Sequence, residues 1–374
     1  MNILLTYGPP AFWCAWVFLF GLGVGSFLNV LIARLPYDKS PIWPGSRCGA
    51  CLQPLKLRDN IPILGYLRLR GRCRMCGATF SSRYLWVEVG TGVAFLSLFV
   101  IEVMTQAIGG PEFLRPWHYA PGLKFSWFSA SPPPQDWLLF ASHAFLLSVL
   151  IVAALIDAEH RVIPTQVTYI GTAVGLLAST LLAWPWPSDP AVLAQIQPNA
   201  PWFLPNILGK LPTGMTLWPF WGPLPTWTPA GSWQLGLCNA LIGAAVGTAL
   251  VRGIKFLFEI GIGKEALGLG DADLMMMAGA FLGWQVVLIG FFAGGLAGLL
   301  LKIPSVIYSL ITGRTVVSEL SFGPGLALGI VATWFAWPWV SSSAVVLFEP
   351  VVLGVLVIAI GGGLLVAGIL LRRK

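Results

Sequence analysis

The chain has 374 residues, 56% of them hydrophobic and only 10% charged, with a mean hydropathy of +0.79. Soluble domains carry about 25% charged residues, so this composition excludes an ordinary soluble enzyme and points to a polytopic membrane protein. The net charge of +7 is not a nucleic-acid footprint, because the basic residues lie between apolar runs, where they orient a chain in a bilayer.

The first apolar run, 11–33, is followed rather than preceded by positive charge. It reads as a retained anchor with its N-terminus outside, not as a cleaved signal peptide. Further runs of near-spanning length follow at 85–107, 137–156, 166–184, 234–257, 272–284, 286–303, 322–340 and 345–371. The sixth and seventh are one apolar stretch interrupted at Gly283-Trp284-Gln285. The expected fold is therefore an all-α polytopic membrane protein of eight or nine transmembrane helices. With nine spans, only Arg115, Lys124 and Lys210 of the 22 Lys and Arg fall outside, the asymmetry that the positive-inside rule describes. Eight spans would strand Arg372, Arg373 and Lys374 on the outer side.

Between the first two runs lies a basic segment, 36–84, with Cys48-x2-Cys51 and Cys73-x2-Cys76. This is the spacing of two zinc knuckles in a zinc-ribbon-like domain. Four thiolates fill a tetrahedron and leave no position for water, so the expected metal is a structural zinc. Two redox disulfides are the rival reading, but the charge rule places this loop in the reducing cytosol. Cys14 and Cys238 lie in apolar runs and read as ordinary buried thiols.

Two external segments are expected. Residues 108–136 contain Pro132-Pro133-Pro134, and 11 of the 29 prolines fall in 185–232. Closely spaced prolines prevent a helix from completing its backbone hydrogen bonds in lipid. The tryptophans of the second segment, such as Trp186 and Trp227, suit the headgroup level.

Two carboxylates stand out. Asp157 closes the third run, and Asp271, in Gly268-Leu269-Gly270-Asp271, opens the sixth. An aspartate at a helix centre costs roughly 2.5–3.5 kcal/mol on insertion scales, so one near a span reads as functional. By span parity both ends lie on the cytoplasmic side. Two carboxyls sharing one proton can hydrolyse a peptide bond: one activates water, the other hydrogen-bonds the carbonyl. Blander roles exist for each, Asp157 pairing with Arg161 one turn on and Asp271 capping its helix. Glu159 and Asp273, two residues beyond, are rival candidates. The chain has no Gly-x-Ser-x-Gly or His-Glu-x-x-His, and its three histidines, His118, His143 and His160, are widely spaced.

Taken together, these features resemble the bacterial type IV prepilin peptidases. Gly25-Ser26-Phe27-Leu28-Asn29-Val30 with Arg34-Leu35-Pro36 is similar to the family's opening signature. Arg58-Asp59-Asn60-Ile61-Pro62, Leu69-Arg70-Gly71-Arg72-Cys73, Ser82-Arg83-Tyr84 and Val87-Glu88 resemble its zinc domain. Ile156-Asp157 with Ile163-Pro164 and Gly268-Leu269-Gly270-Asp271 resemble the two catalytic motifs, and Ser321-Phe322-Gly323-Pro324 with Leu326-Ala327-Leu328-Gly329 a closing one. The resemblance implies a multi-pass protein of the bacterial inner membrane, with Asp157 and Asp271 catalytic. Its substrates would be prepilins or pseudopilins, cut after a short basic leader at the cytoplasmic face. Methylation of the new N-terminus from S-adenosylmethionine is implied as well, although no Gly-rich nucleotide loop marks a donor site.

The chain departs from the family pattern at Asp273, where many members have lysine, and at Thr165-Gln166. The expected organisation is an anchor (1–35), a cytoplasmic zinc domain (36–84), and helices 2–4 with the first aspartate (85–184). After these come the external insertion (185–232), helices 5–8 with the second aspartate (233–340) and an added last helix (341–374). Other readings of the same acids and cysteines are a methyltransferase with weakened proteolysis, a zinc-ribbon membrane scaffold, or a proton-conducting transporter subunit.

Overall fold

A computed structural model describes residues 3–104, 134–182, 226–228, 232–262, 268–313, 321–337, 340, 344–348 and 350–372. The expected external segments and His118 lie almost wholly outside the described residues. The long helices are α1 (Ile3–Arg34), α3 (Arg83–Leu98), α4 (Pro134–His160), α5 (Thr165–Leu181), α6 (Trp233–Ile262), α7 (Leu269–Thr312), α8 (Gly323–Phe335) and α9 (Pro350–Arg372). A short α2 (Leu64–Arg68) lies in the cysteine segment, and a π-helical stretch, Phe99–Met104, extends α3. Among the described residues there is no β-strand, only the isolated bridges Arg47–Pro54 and Arg72–Thr79.

Among the described residues, five segments are long and apolar enough to cross a membrane: Ala11–Tyr37, Arg83–Val103, Trp137–His160, Trp233–Gly261 and Leu269–Thr312. The expected fourth span is realised as α5, whose 17 residues rise about 26 Å, a little short of a hydrocarbon core of about 30 Å. The 44 residues of α7 would run about 66 Å if straight, twice that thickness. The helix breaks instead at Gly283, with φ 79° and ψ 168°, a backbone conformation that only glycine takes without strain. This is the interruption expected at Gly283-Trp284-Gln285. The Asn239 side chain lies in the space a side chain at 283 would need.

The described residues form two compact units, divided between Pro164 and Thr165. In the first, α1 and α3 run antiparallel and nearly touch. A Cβ added at Gly21 would lie 2.8 Å from Gly92 Cα, and one at Gly25 would lie 2.8 Å from Glu88 Cα. Asn29 continues the register, its side-chain amide donating to the Tyr84 carbonyl at 3.0 Å. Packing between membrane helices relies on such small residues, since lipid supplies no hydrophobic drive. Rings of Trp13, Trp16, Phe99, Trp137 and Phe140 interlock at the far end of this unit. Nearby, His143 and Glu102 share a buried 2.5 Å hydrogen bond.

In the second unit α6 and the first half of α7 pack antiparallel through Gly243, Gly247 and Gly279. A Cβ at Gly243 would fall 2.1 Å from the Gly279 carbonyl oxygen, and one at Gly247 would fall 2.3 Å from that of Met275. The second half of α7 meets α8 in the same way through Gly294 and Gly329. Backbone cannot yield as a flexible side chain can. Gly243→Leu is therefore expected to destabilise the second unit by about 3 kcal/mol, the upper range for overpacking, read as a lowered unfolding temperature in detergent.

Candidate active site and metal centre

The cysteine segment folds as two matching knuckles. The Cys48 N–H donates to the Gln53 carbonyl and the Leu52 N–H to the Cys48 carbonyl; Cys73 with Ala78, and Gly77 with Cys73, repeat the pattern. Leu52 and Gly77, each just past the second cysteine of its pair, take positive φ (59° and 73°), which turns each chain back to its bridge. Arg74 pairs with Asp59 and ties the second knuckle to the chain ahead of α2, holding the Asp59 carboxyl below its ordinary range.

All four sulfurs lie within 4.8 Å of one another, with Cys48–Cys76 at 3.8 Å and Cys51–Cys73 at 3.9 Å. A disulfide needs about 2.05 Å, whereas the edge of a tetrahedron built on a zinc–sulfur bond of about 2.3 Å is about 3.8 Å. The close pairs run across the knuckles rather than within either one, as expected when two loops clamp one ion. The thiols also differ in acidity. Hydrogen bonds from the Cys51 and Ala50 N–H groups, reinforced by Cys73 and Cys51, lower Cys48 to about 6. Cys76 accepts from the Ala78 N–H, but burial and its hydrogen bonds to Cys51, Cys73 and Cys48 outweigh that and push it up to about 11. Four such neighbours ionise together only around a cation. The residues fit a structural zinc.

Asp157 lies in the last turn of α4 and is buried, 7% exposed. The helix stops at His160 because Arg161 turns left-handed at φ 56°, its N–H returning to the Asp157 carbonyl at 2.9 Å. Two contacts hold this end in place: Glu159 pairs with Arg83 at the start of α3, and His160 packs edge-on against Tyr37.

Asp271 is the third residue of α7 and equally buried, 7% exposed. It is not the N-cap. That position belongs to Gly268, in extended conformation with no side-chain cap. The Asp271 Oδ2 turns back to within 3.6 Å of the point that a Cβ on Gly268 would occupy. A first-turn carboxylate also meets the positive end of the helix dipole.

The neighbouring acids each lie against an arginine. Glu159 is bound to Arg83, and Asp273, 5% exposed, has Arg252 of α6 at 3.7 Å. The apolar periodicity does not reveal how these helices are held together. The signal lies instead in small residues four apart: Gly21/Gly25, Gly243/Gly247, Gly290/Gly294/Gly298 and Gly325/Gly329.

Comparison with known proteins bears on this arrangement. Residues 19–101 match the Bacterial Peptidase A24 N-terminal domain, and residues 209–303 match the Type IV leader peptidase family. A protein of Myxococcus xanthus named prepilin leader peptidase/N-methyltransferase is 31% identical over 75% of this chain and 59% of its own length. Proteins of the same name from Klebsiella pneumoniae and Aeromonas hydrophila are 29% and 28% identical. They align over 74% and 90% of this chain, and over 89% and 93% of their own lengths. The chain belongs to the type IV leader peptidase family. It spans about three-fifths of the Myxococcus relative and nearly all of the other two. No solved structure matches it. Within the family frame, the four cysteines and the α1–α3 contact fall in the first matched segment, Asp271 falls in the second, and Asp157 stands between them.

Proposed function

We propose that the chain is a membrane-embedded aspartic endopeptidase that removes the short basic leader of type IV prepilins or pseudopilins, using Asp157 and Asp271. The observation that carries this reading is the burial of both carboxylates at the ends of apolar helices: Asp157 in the last turn of α4 and Asp271 in the first turn of α7, each 7% exposed. Positive charge flanking the spans favours the cytoplasmic face of the inner membrane for both aspartates and the knuckles.

In this mechanism the two carboxyls approach one water and hold a single proton between them, because two like charges so close do not both form cheaply. The ionised group takes a proton from water as its oxygen attacks the scissile carbonyl. The protonated group hydrogen-bonds the carbonyl oxygen and later supplies the proton to the leaving amine. The apolar helix of the substrate lies among the spans and presents its peptide bond at the depth of the aspartates.

The proposal extends to methylation of the exposed N-terminus with S-adenosylmethionine as donor, a reading supported by the N-methyltransferase in the relatives' names. Cys48, Cys51, Cys73 and Cys76 would hold zinc as a structural ion, with no open position for chemistry. The scaffold and proton-conductor readings find no support among relatives named for leader peptidase activity. Co-expression with a prepilin, followed by the mobility of the pilin on a gel, tests the proposal: leader removal is expected, and its absence would reject it. Glu159→Gln is expected to keep cleavage within about fivefold, since exposed ion pairs contribute about 0–1 kcal/mol. Asp273→Asn should also cleave; a loss as deep as that from changing Asp271 would reassign the role.

A further inference from the structure

Several motif residues that the proteolytic reading leaves without a task converge on one cavity in the first unit. Ser26 and Asn29 of α1, Tyr84 and Glu88 of α3, and Tyr66 and Phe80 of the knuckle domain line it. The close approach of α1 and α3 at Gly25 creates this convergence, setting Glu88 beside Ser26 and one turn from Asn29.

Two acceptors in this wall lack what their chemistry calls for. Asn29 is 2% exposed, and its amide is oriented by donation to the Tyr84 carbonyl, which leaves its Oδ1 buried with no hydrogen-bond partner. Glu88 is 9% exposed and accepts from the Ile63 N–H at 2.7 Å and from the Ser26 hydroxyl, yet no lysine or arginine pairs with it among the described residues. Buried carboxylates are ordinarily matched by a cation, and an orphaned buried amide oxygen is costly. The other acid on the wall, Asp59, is already bound to Arg74. Arg34, also on the wall, is taken up by the Ser40 and Gly45 carbonyls, so the cavity calls for a ligand that brings positive charge and hydrogen-bond donors to its buried end. Tyr66, Phe80 and Tyr84 of the same wall supply aromatic rings against which a planar group could stack. Arg47, exposed on the cavity wall, offers a cation for a ligand carboxylate.

We propose that this cavity is the methyl-donor site, with S-adenosylmethionine held through Glu88 and Asn29. The donor's sulfonium and ammonium supply the missing charge, its ribose hydroxyls the missing donors, and its adenine the ring. The inference rests on the reading of the chain as an N-methyltransferase as well as a peptidase.

The test uses the zinc-loaded full chain in lipid nanodiscs and measures binding of radiolabelled S-adenosylmethionine by equilibrium dialysis, with no methyl transfer required. Wild-type protein is expected to bind, and Glu88→Gln, with unchanged zinc content, to bind at least tenfold more weakly. Ultraviolet cross-linking of the labelled donor should mark peptides containing Tyr66, Phe80 or Tyr84. Equal binding by zinc-replete Glu88→Gln would overturn the proposal, as would a cross-link confined to α5–α9. So would displacement of the label by a basic leader peptide but not by S-adenosylhomocysteine. If Glu88→Gln loses its zinc, the cross-link map decides alone. Leader removal by wild-type protein, assayed separately, reports on the peptidase reading: its failure with donor binding intact rejects that reading and leaves this one standing.

Discussion

Asp157→Asn and Asp271→Asn are each expected to abolish leader removal while leaving zinc content and helicity unchanged. Proton transfer by a positioned side chain contributes about 10²–10⁴-fold, and each aspartate serves in both halves of the reaction, so a loss of about 10³-fold or more is expected from either change. An amide preserves the shape of the side chain and removes its ability to share a proton. The double variant should be scarcely worse than either single one, because residues that act as a unit do not add. The measurement is the rate of leader release from a purified prepilin by protein in detergent or nanodiscs. A single variant that retained substantial activity would mean that one carboxyl works without the other. In that case the shared-proton mechanism fails, whatever the fate of the family assignment.

Removing the metal is expected to have the second large effect. The purified chain should carry one zinc, and a strong chelator or Cys73→Ser should convert the knuckle segment into a protease-sensitive loop. Structural zinc in small peptides contributes on the order of 10–16 kcal/mol of apparent binding energy. The segment has few alternatives for its stability: Leu52, Leu57, Leu64 and Met75 are all exposed, and its backbone pairing consists of two isolated bridges. Zinc loading should release protons near neutral pH, since Cys76, pushed up to about 11 without metal, must ionise to bind. Affinity is accordingly expected to fall as pH falls, seen as zinc transfer to a chromogenic chelator. A chain that keeps its protease resistance after complete zinc removal would show that the knuckles are held by packing instead.

The two effects are separable by design. Loss of zinc is expected to disturb the Glu88 cavity, whose lining includes Tyr66 and Phe80 of the knuckle segment, and to leave α4 and α7 intact as helices. Metal removal should therefore reach donor binding first, and any effect on proteolysis should follow from loss of the Arg83 and Tyr37 contacts that hold the end of α4.

Much of this protein is legible in its amino-acid sequence. Apolar runs separated by basic loops announce a multi-pass helical protein, because a bilayer imposes length and composition directly on the chain. The four cysteines announce their cluster through spacing alone, and Gly283 marks the break in α7, since a 44-residue helix has no place in one bilayer. Asp157 and Asp271 stand out as acids at the ends of apolar runs. Tertiary structure alone decides the rest. Glu159 pairs with Arg83, 76 residues away along the chain, and Asp273 lies 3.7 Å from Arg252, partners that no local pattern names. Likewise Asn29 and Glu88 meet only because Gly25 lets two helices touch. Periodicity reports what each helix does by itself; which polar groups end up facing one another depends on how closely backbones pack, and that is a property of the assembled helices.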